Sequence, residues 1–234
     1  MKRLRHITIS FFLLVPLTAF AGEVIYGVIA TVNGKPVLQS EWDDAVRYEA
    51  FMQQKPLRAV TESDRVSALQ RLIDRRLLES EMTDRTYLAP SHEEVRTSLA
   101  KLREQIPGAH DEQTWQHLLR SYGFKQRDIE ANLRSETQMM NFVEVRLRPN
   151  IHVHPEEVEA YYRAQVLHDM EKAGVKVVTI EEIEPRIREV LVQQHMDELL
   201  EAWLHNLRQQ THIHSTIPLP SRNSSAGREA EGGN

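Results

Sequence analysis

Glycine is nearly absent from the body of this chain, and its scarcity limits the folds that the chain can adopt. The sequence has 9 glycines in 234 residues, well below an average usage of about 7%. β-Sandwiches and phosphate-binding loops need glycine at tight turns, and aromatic residues are also scarce, at 6%. We therefore predict a mainly α protein. Four glycines lie between residues 28 and 217, each at a predicted turn: Gly34, Gly108, Gly123 and Gly174.

The composition excludes several kinds of functional site. The chain has no cysteine, which removes disulfide bonds, thiol catalysis and cysteine-ligated zinc or iron–sulfur sites. Hydrophobic residues make up 41% and charged residues 27%, a balance that is typical of a globular protein with a buried core. The formal charge is −5, which argues against a nucleic-acid partner. We expect no cofactor and no catalytic residues.

Residues 1–21 have the pattern of a secretory signal peptide. Lys2, Arg3 and Arg5 form a positive start, an apolar stretch follows, and Ala19-Phe20-Ala21 matches the small-x-small cleavage pattern. The apolar stretch is shorter than the roughly 20 residues that span a bilayer. We therefore expect cleavage after Ala21 and a soluble, periplasmic mature protein without a transmembrane segment.

A β-hairpin is predicted immediately after this leader. Asn33-Gly34 separates two short apolar runs, and both residues tolerate the positive φ angles of a type I′ turn. Pro36 lacks an N–H group, so the second arm should lie at a sheet edge. Ser40 is predicted to cap the helix that follows. The remaining strand candidate is His212–Ile217, close to the other end of the chain.

Helical periodicity dominates the rest of the sequence. Pro185 lies early in the last periodic segment, where it either kinks the second turn or marks the true start of the helix. The predicted helices cover residues 40–50, 61–78, 91–102, 111–121, 125–147, 155–162 and 179–210.

The two ends of the chain are expected to share one core. A two-stranded hairpin is too small to be stable alone in water. We therefore expect the helix over residues 179–210 and the strand after it to fold back onto the hairpin, with Trp203 buried there. This arrangement makes residues 22–217 one domain, formed from N- and C-terminal segments, and leaves residues 218–234 as a disordered tail.

Five segments, in a fixed order, carry a family resemblance. They are a hairpin leading into a capped helix at residues 28–41, a Leu-Ile-x-x-x-Leu-Leu pattern in Arg71–Leu78, a short helix, glycine turn and long helix over Trp115–Leu133, and the segments His154–Tyr162 and Ile183–Leu207. In this order they resemble the SurA-like periplasmic chaperones and, in part, trigger factor. The resemblance implies a mainly α, multi-helix chaperone core with a small β-hairpin that a C-terminal strand completes.

The chain departs from the family pattern where an isomerase is commonly inserted. In SurA-like proteins a parvulin-type peptidyl-prolyl isomerase often lies between the last two of these segments. Only Leu167–Val178 occupies that interval here, too short a segment to build a parvulin sheet. The resemblance therefore implies a chaperone and not an enzyme.

The function that follows from the resemblance is binding. It implies an exported, ATP-independent holdase whose partners are unfolded or partly folded envelope and outer-membrane proteins, bound through apolar surface. The sequence has no Gly-x-x-x-x-Gly-Lys-Ser/Thr phosphate loop. Two alternatives remain open: a prolyl isomerase with a degenerate or missed module, and a dedicated assembly subunit of one export system.

Two histidine pairs could suggest a metal. His152/His154 and His212/His214 lie in extended segments, where each pair would point to one face of a strand. Polar residues of half-exposed strands explain the same pattern, and nothing in the sequence shows that the pairs meet. We therefore expect no metal site.

Carboxylate pairs and flexible apolar residues have ordinary explanations as well. The pairs Asp43-Asp44, Glu93-Glu94 and Glu156-Glu157 lie in first turns of predicted helices, where capping and the helix dipole account for them. Methionine and phenylalanine could contact varied clients, although core packing is the commoner use of such residues. The residues in question are Phe51, Met52, Met139, Met140 and Phe142.

Overall fold

The computed structural model describes residues 27–82, 88–174 and 178–219, which form a mainly α protein with one small antiparallel sheet. The predicted leader at residues 1–21 and the tail from residue 220 lie outside the described residues. The strands are β1 (Val28–Val32), β2 (Lys35–Leu38) and β3 (Ile213–Ser215). The helices are α1 (Gln39–Met52), α2 (Glu62–Glu81), α3 (His92–Gln105), α4 (Glu112–Ser121), α5 (Gln126–Leu147), α6 (Pro155–Tyr161), α7 (Leu167–Ala173) and α8 (Ile180–Gln210).

The hairpin forms as its turn residues predict. Asn33 and Gly34 have φ angles of 49° and 75°, which asparagine and glycine tolerate better than other residues. The strand order is β2-β1-β3, so β2 is an edge strand. Pro36 therefore lies where a missing N–H group does not interrupt the sheet.

The C-terminal strand completes the sheet, as predicted, although it is shorter than the sequence suggests. β3 pairs antiparallel with β1, and Thr216 donates its backbone N–H to the carbonyl of Ile29 at 2.9 Å. The strand ends at Ser215 and does not reach Ile217. The Ser215 hydroxyl donates to the Ile217 carbonyl at 2.8 Å and accepts from the Ile217 N–H at 3.2 Å, which turns the backbone away from the ladder.

The first core cluster joins the two ends of the chain. It contains the buried face of the hairpin, the first half of α1, much of α2, the end of α5 and the second half of α8. Leu219, in the predicted tail, is half-buried against it. The buried members are Ala30, Val32, Val37, Trp42, Val46, Ala68, Leu69, Ile73, Leu77, Leu78, Val143, Leu147, Met196, Leu204 and Leu207.

Trp203 is not buried in that core, contrary to the prediction. Its side chain is half-buried at the edge of the α5–α8 contact, where its ring lies 5.8 Å from the ring of Phe142. Leu204 and Leu207 occupy the interior positions of the same helix. The apolar face of α8 is therefore wider than the surface that it buries.

The second core cluster is built around aromatic rings from α1, α4 and the turn before α5. Phe51 lies 5.9 Å from Trp115 and 5.6 Å from Tyr122, measured between ring centroids. Gly123 has a φ angle of +79°, and a Cβ atom there would lie 2.6 Å from the guanidinium of Arg47. The positive φ angle therefore favours glycine at this turn, whereas the Arg47 guanidinium, at the end of a flexible side chain, could move aside.

A third, smaller cluster attaches an arm to the first half of α8. α6, a π-helical turn at Tyr162–Val166 and α7 form this arm, and Val158 packs against Ile187 and Leu191. The Tyr162 hydroxyl donates to the Val178 carbonyl at 2.7 Å. The interval predicted to lack an isomerase holds the end of the arm, and residues 175–177 of it lie outside the described residues.

The helix starts follow the sequence signals with one exception. Ser91 accepts from the N–H of Glu94, as its capping-box spacing predicts. The prediction that Ser40 caps α1 is wrong, because the helix begins at Gln39 and the Leu38 N–H donates to Glu41 Oε2 at 2.9 Å. Pro185 lies inside α8, which begins at Ile180, so it does not mark the start. None of the helices within the described residues is long and apolar enough to cross a membrane.

Candidate functional site

A groove lies between α1, α2 and α5, with a volume of about 530 Å³. The first half of α1 and the end of α5 belong to the first core cluster, whereas the second half of α1 and the start of α5 belong to the second. The groove therefore opens where three helices diverge between two packed regions. Its lining residues are Glu41, Asp44, Ala45, Tyr48, Glu49, Met52, Gln53, Ala68, Arg71, Leu72, Arg75, Arg76, Glu79, Asn132 and Glu136.

Apolar side chains from α1 and α2 form part of the lining. Met52, at the end of α1, is 40% exposed, and Ala45 and Leu72 are half-buried. Tyr48 and Ala68 are buried beneath them. Such a surface can hold apolar side chains of a bound polypeptide, and an unbranched methionine adapts to different shapes.

Arginines of α2 form ion pairs with α1 along the rim of the groove. The Nε atom of Arg71 donates to Glu49 Oε1 at 2.6 Å, and a second guanidinium nitrogen contacts the other carboxylate oxygen. Arg76 pairs with Glu41 and, at 3.1 Å, with Glu79. Two of the three groove arginines are thus held by short contacts to groove carboxylates.

Glu136 connects α5 with both of the other groove helices. The buried Tyr48 hydroxyl donates to Glu136 Oε2 at 3.0 Å, while Glu136 Oε1 lies 3.8 Å from Arg75 Nη2. Burial raises the pKa of Glu136, and the nearby charge of Glu49 raises it further, against the lowering effect of Tyr48 and Arg75. Burial and the adjacent Glu136 carboxylate also raise the pKa of Tyr48. The hydrogen bond from Tyr48 and the charge of Arg75 therefore compensate only part of the cost of burying the charged Glu136 carboxylate.

The histidine pairs lie apart from the groove lining. His152 and His154 are exposed in the segment before α6, and His212 and His214 are exposed on and beside β3. Within residues 27–82, 88–174 and 178–219, no three His, Asp or Glu side chains are grouped so that they could hold a metal ion.

Two of the carboxylate pairs perform the local roles that the sequence predicts, but Asp43-Asp44 does not, because α1 begins at Gln39 and Glu41 is the acidic residue of its first turn. Asp43 accepts from Arg65 at 2.9 Å; burial works to raise its pKa, but the hydrogen bonds from Arg65 and Gln39 outweigh that effect and lower it. Glu94 accepts from the Ser91 N–H at 2.7 Å. Glu157 accepts from the His154 N–H at 3.0 Å, so it completes the start of α6.

The flexible apolar residues divide between core and surface. Phe51 is buried in the second core cluster, and Met139 and Phe142 are half-buried. Met140 is 70% exposed, and Met52 lines the groove. Sequence reasoning found Met52 but gave no role to Tyr48, Glu136 or the α2 arginines. The spacing of Arg71 and Arg75, one turn apart, was the signal available for them.

Comparison with known proteins gives one family match. A family model described as SurA-like N-terminal domain matches residues 3–143, which is more than half of the chain. Every residue that lines the groove falls within the matched segment. No curated protein matches the chain.

Proposed function

The chain belongs to the SurA-like N-terminal domain family, and from this membership we propose that it is an exported, ATP-independent chaperone of unfolded envelope proteins. The family match is the observation that carries the proposal. The leader pattern at residues 1–21 supports a periplasmic location, and the lack of a phosphate-loop motif supports binding without ATP.

We propose the α1–α2–α5 groove as the client-binding surface. It combines exposed or half-buried apolar groups, Met52 and Leu72 among them, with a charged rim. A holdase has to bind many sequences weakly and release them, which suits an open groove with an adaptable wall better than a closed pocket.

A light-scattering assay tests the holdase function. Dilution of a denatured β-barrel protein into buffer should give less scattering when the chaperone is added without nucleotide. We expect the Met52→Ser variant to suppress aggregation less well, because it removes the most exposed apolar side chain of the groove.

Val190→Ser is the matched control. Val190 is also 40% exposed but lies on α8, outside the groove lining. Equal loss in both variants would contradict the groove as the site. Unchanged scattering with a several-fold excess of the unmodified protein would contradict general holdase activity and favour a dedicated assembly subunit, which a pull-down from envelope extract should then reveal as one dominant partner.

The isomerase alternative has a separate test. The short interval Leu167–Val178, which holds the end of the arm, supports our proposal that the chain is not an enzyme, since its described part is α7, the turn at Gly174 and Val178. A protease-coupled assay with a proline-containing peptide should give the uncatalysed rate, and a clear acceleration would favour the isomerase.

A further inference from the structure

The groove is built to prefer one class of client segment. We propose that it binds extended polypeptide segments in which a lysine or arginine is flanked by apolar residues, with Glu136 accepting the cation. This inference rests on the proposed function, and it adds the chemistry that decides which segments of a client are held.

The charge of the lining favours a cationic segment. The groove is lined by five carboxylates and three guanidiniums, so its formal charge is negative. The negative charge of the lining would repel a bound anion and attract a bound cation. The carboxylates are Glu41, Asp44, Glu49, Glu79 and Glu136, and the guanidiniums are Arg71, Arg75 and Arg76.

Two of the three arginines of the groove are not readily available to donate to an acidic side chain of a client. Arg71 and Arg76 already make short contacts with Glu49, Glu41 and Glu79. An acidic residue of a client would have to displace one of these partners, and would leave a carboxylate in the groove without its cation. Acidic segments should therefore bind less well than basic ones.

Glu136 has one oxygen that accepts no hydrogen bond in the groove. Its Oε2 atom is fixed by the Tyr48 hydroxyl at 3.0 Å, whereas Oε1 lies 3.8 Å from Arg75, beyond hydrogen-bond distance. A lysine or arginine of a client could bond this oxygen directly. Arg75 would then turn toward solvent, where its side chain is already 33% exposed.

The apolar part of the groove accounts for the flanking residues. Tyr48 and Met52 are one helical turn apart on α1, and Leu72 lines the groove from α2. A cation alone would leave Met52 and Leu72 in contact with water, since Tyr48 is already buried. A segment that also carries apolar side chains would cover them, which adds hydrophobic stabilisation to the ion pair.

Fluorescence anisotropy with three labelled peptides tests the inference on the full chain. The peptides share apolar flanks and differ only in a central lysine, glutamine or glutamate. We expect the lysine peptide to bind about fivefold more tightly than the glutamine peptide at low salt, the upper range for a partly exposed ion pair, and the glutamate peptide to bind most weakly. In Glu136→Gln, the lysine and glutamine peptides should bind equally.

Glu144→Gln provides the control. It removes the same charge from the same helix, but Glu144 pairs with Arg148 and lies outside the groove lining. The control should keep the lysine preference, and thermal melts of both variants should show that they are folded. Equal binding of the three peptides, a preference for glutamate, or no binding would overturn the inference; suppressed aggregation in the scattering assay would still leave the proposed function standing.

Discussion

At the scale of single residues, Asp74 is the clearest link between distant parts of the chain. It lies on α2 with 7% of its surface exposed, and it forms an ion pair with Arg208 in the last turn of α8. A buried carboxylate that loses a cation keeps its desolvation cost and loses part of its charge compensation. The pair therefore makes α2 depend on a residue near the C-terminus.

Breaking this pair should destabilise the protein strongly. We expect Asp74→Ala or Arg208→Ala to lower the free energy of unfolding by about 3 kcal/mol, as measured by urea titration. Replacing both residues with Leu and Met of similar size should cost less than the single changes. Asp44→Ala breaks an exposed pair with Arg47 and should cost under about 1 kcal/mol. Similar small losses in all of the variants would show that burial adds nothing to the pair.

Glu136 and Asp64 should shift stability with pH in opposite directions. Burial raises the pKa of Glu136, so the folded state holds a proton that the unfolded state releases. Its contribution to stability is present below the unfolded pKa and is lost as the pH rises through the folded one. Hydrogen bonds from Lys55 and Thr61 lower the pKa of Asp64, so its contribution is present above the unfolded pKa and is lost in acid.

Urea titrations between pH 3 and about pH 7 should separate the two groups. Relative to the unmodified protein, Glu136→Gln should become more stable as the pH rises. Asp64→Asn should become less stable over the same range. Parallel curves for the two variants would contradict these assignments.

At the scale of elements, the sequence predicted the hairpin turn and the Ser91 cap, but not the start of α1 or the burial of every apolar face. Asn33-Gly34 predicted the hairpin because few other residues accept its φ angles. The prediction that Ser40 caps α1 failed because the Glu41 side chain accepts from the N–H of Leu38, the residue directly before the helix. The expected burial of Trp203 was not met, because periodicity shows that a helix face is apolar but not how much of that face a neighbouring helix covers.

Removal of α8 and β3 should abolish cooperative folding. The segment formed by α8 and β3 supplies Met196, Leu204 and Leu207 to the first core cluster. It also carries Arg208, which pairs with Asp74. A chain ending at Val178 would leave the apolar surface of the hairpin and α2 in water. We expect circular dichroism to show no sharp thermal transition near the full-length midpoint.

A chain ending at Leu219 is the control for this truncation. It keeps every described element, so its midpoint should match that of the full chain. A truncation at Val178 that melts cooperatively at the full-length midpoint would show that the two ends do not depend on each other.

At the scale of the whole molecule, the groove could not be predicted from sequence. Its walls come from two consecutive helices, at residues 41–53 and 68–79, and from a third helix distant in the chain, at residues 132–136. Each of these helices has an apolar stripe, which predicts that it packs in a core. The sequence does not show that α1 and α5 each contribute residues to two separate core clusters. The family resemblance could be recognised from sequence because each of its segments is a local pattern and the segments follow one another in a fixed order.

The sheet is closed by strands that the chain supplies first and last. The Thr216 hydroxyl donates to the carbonyl of Ile29, and the two residues are 187 positions apart in sequence. During synthesis β1 is made long before β3, and contacts of such long range form slowly. Until its last segment is released, this protein is itself a nascent chain with an unfinished core, and so belongs to the class of molecule that we propose it protects.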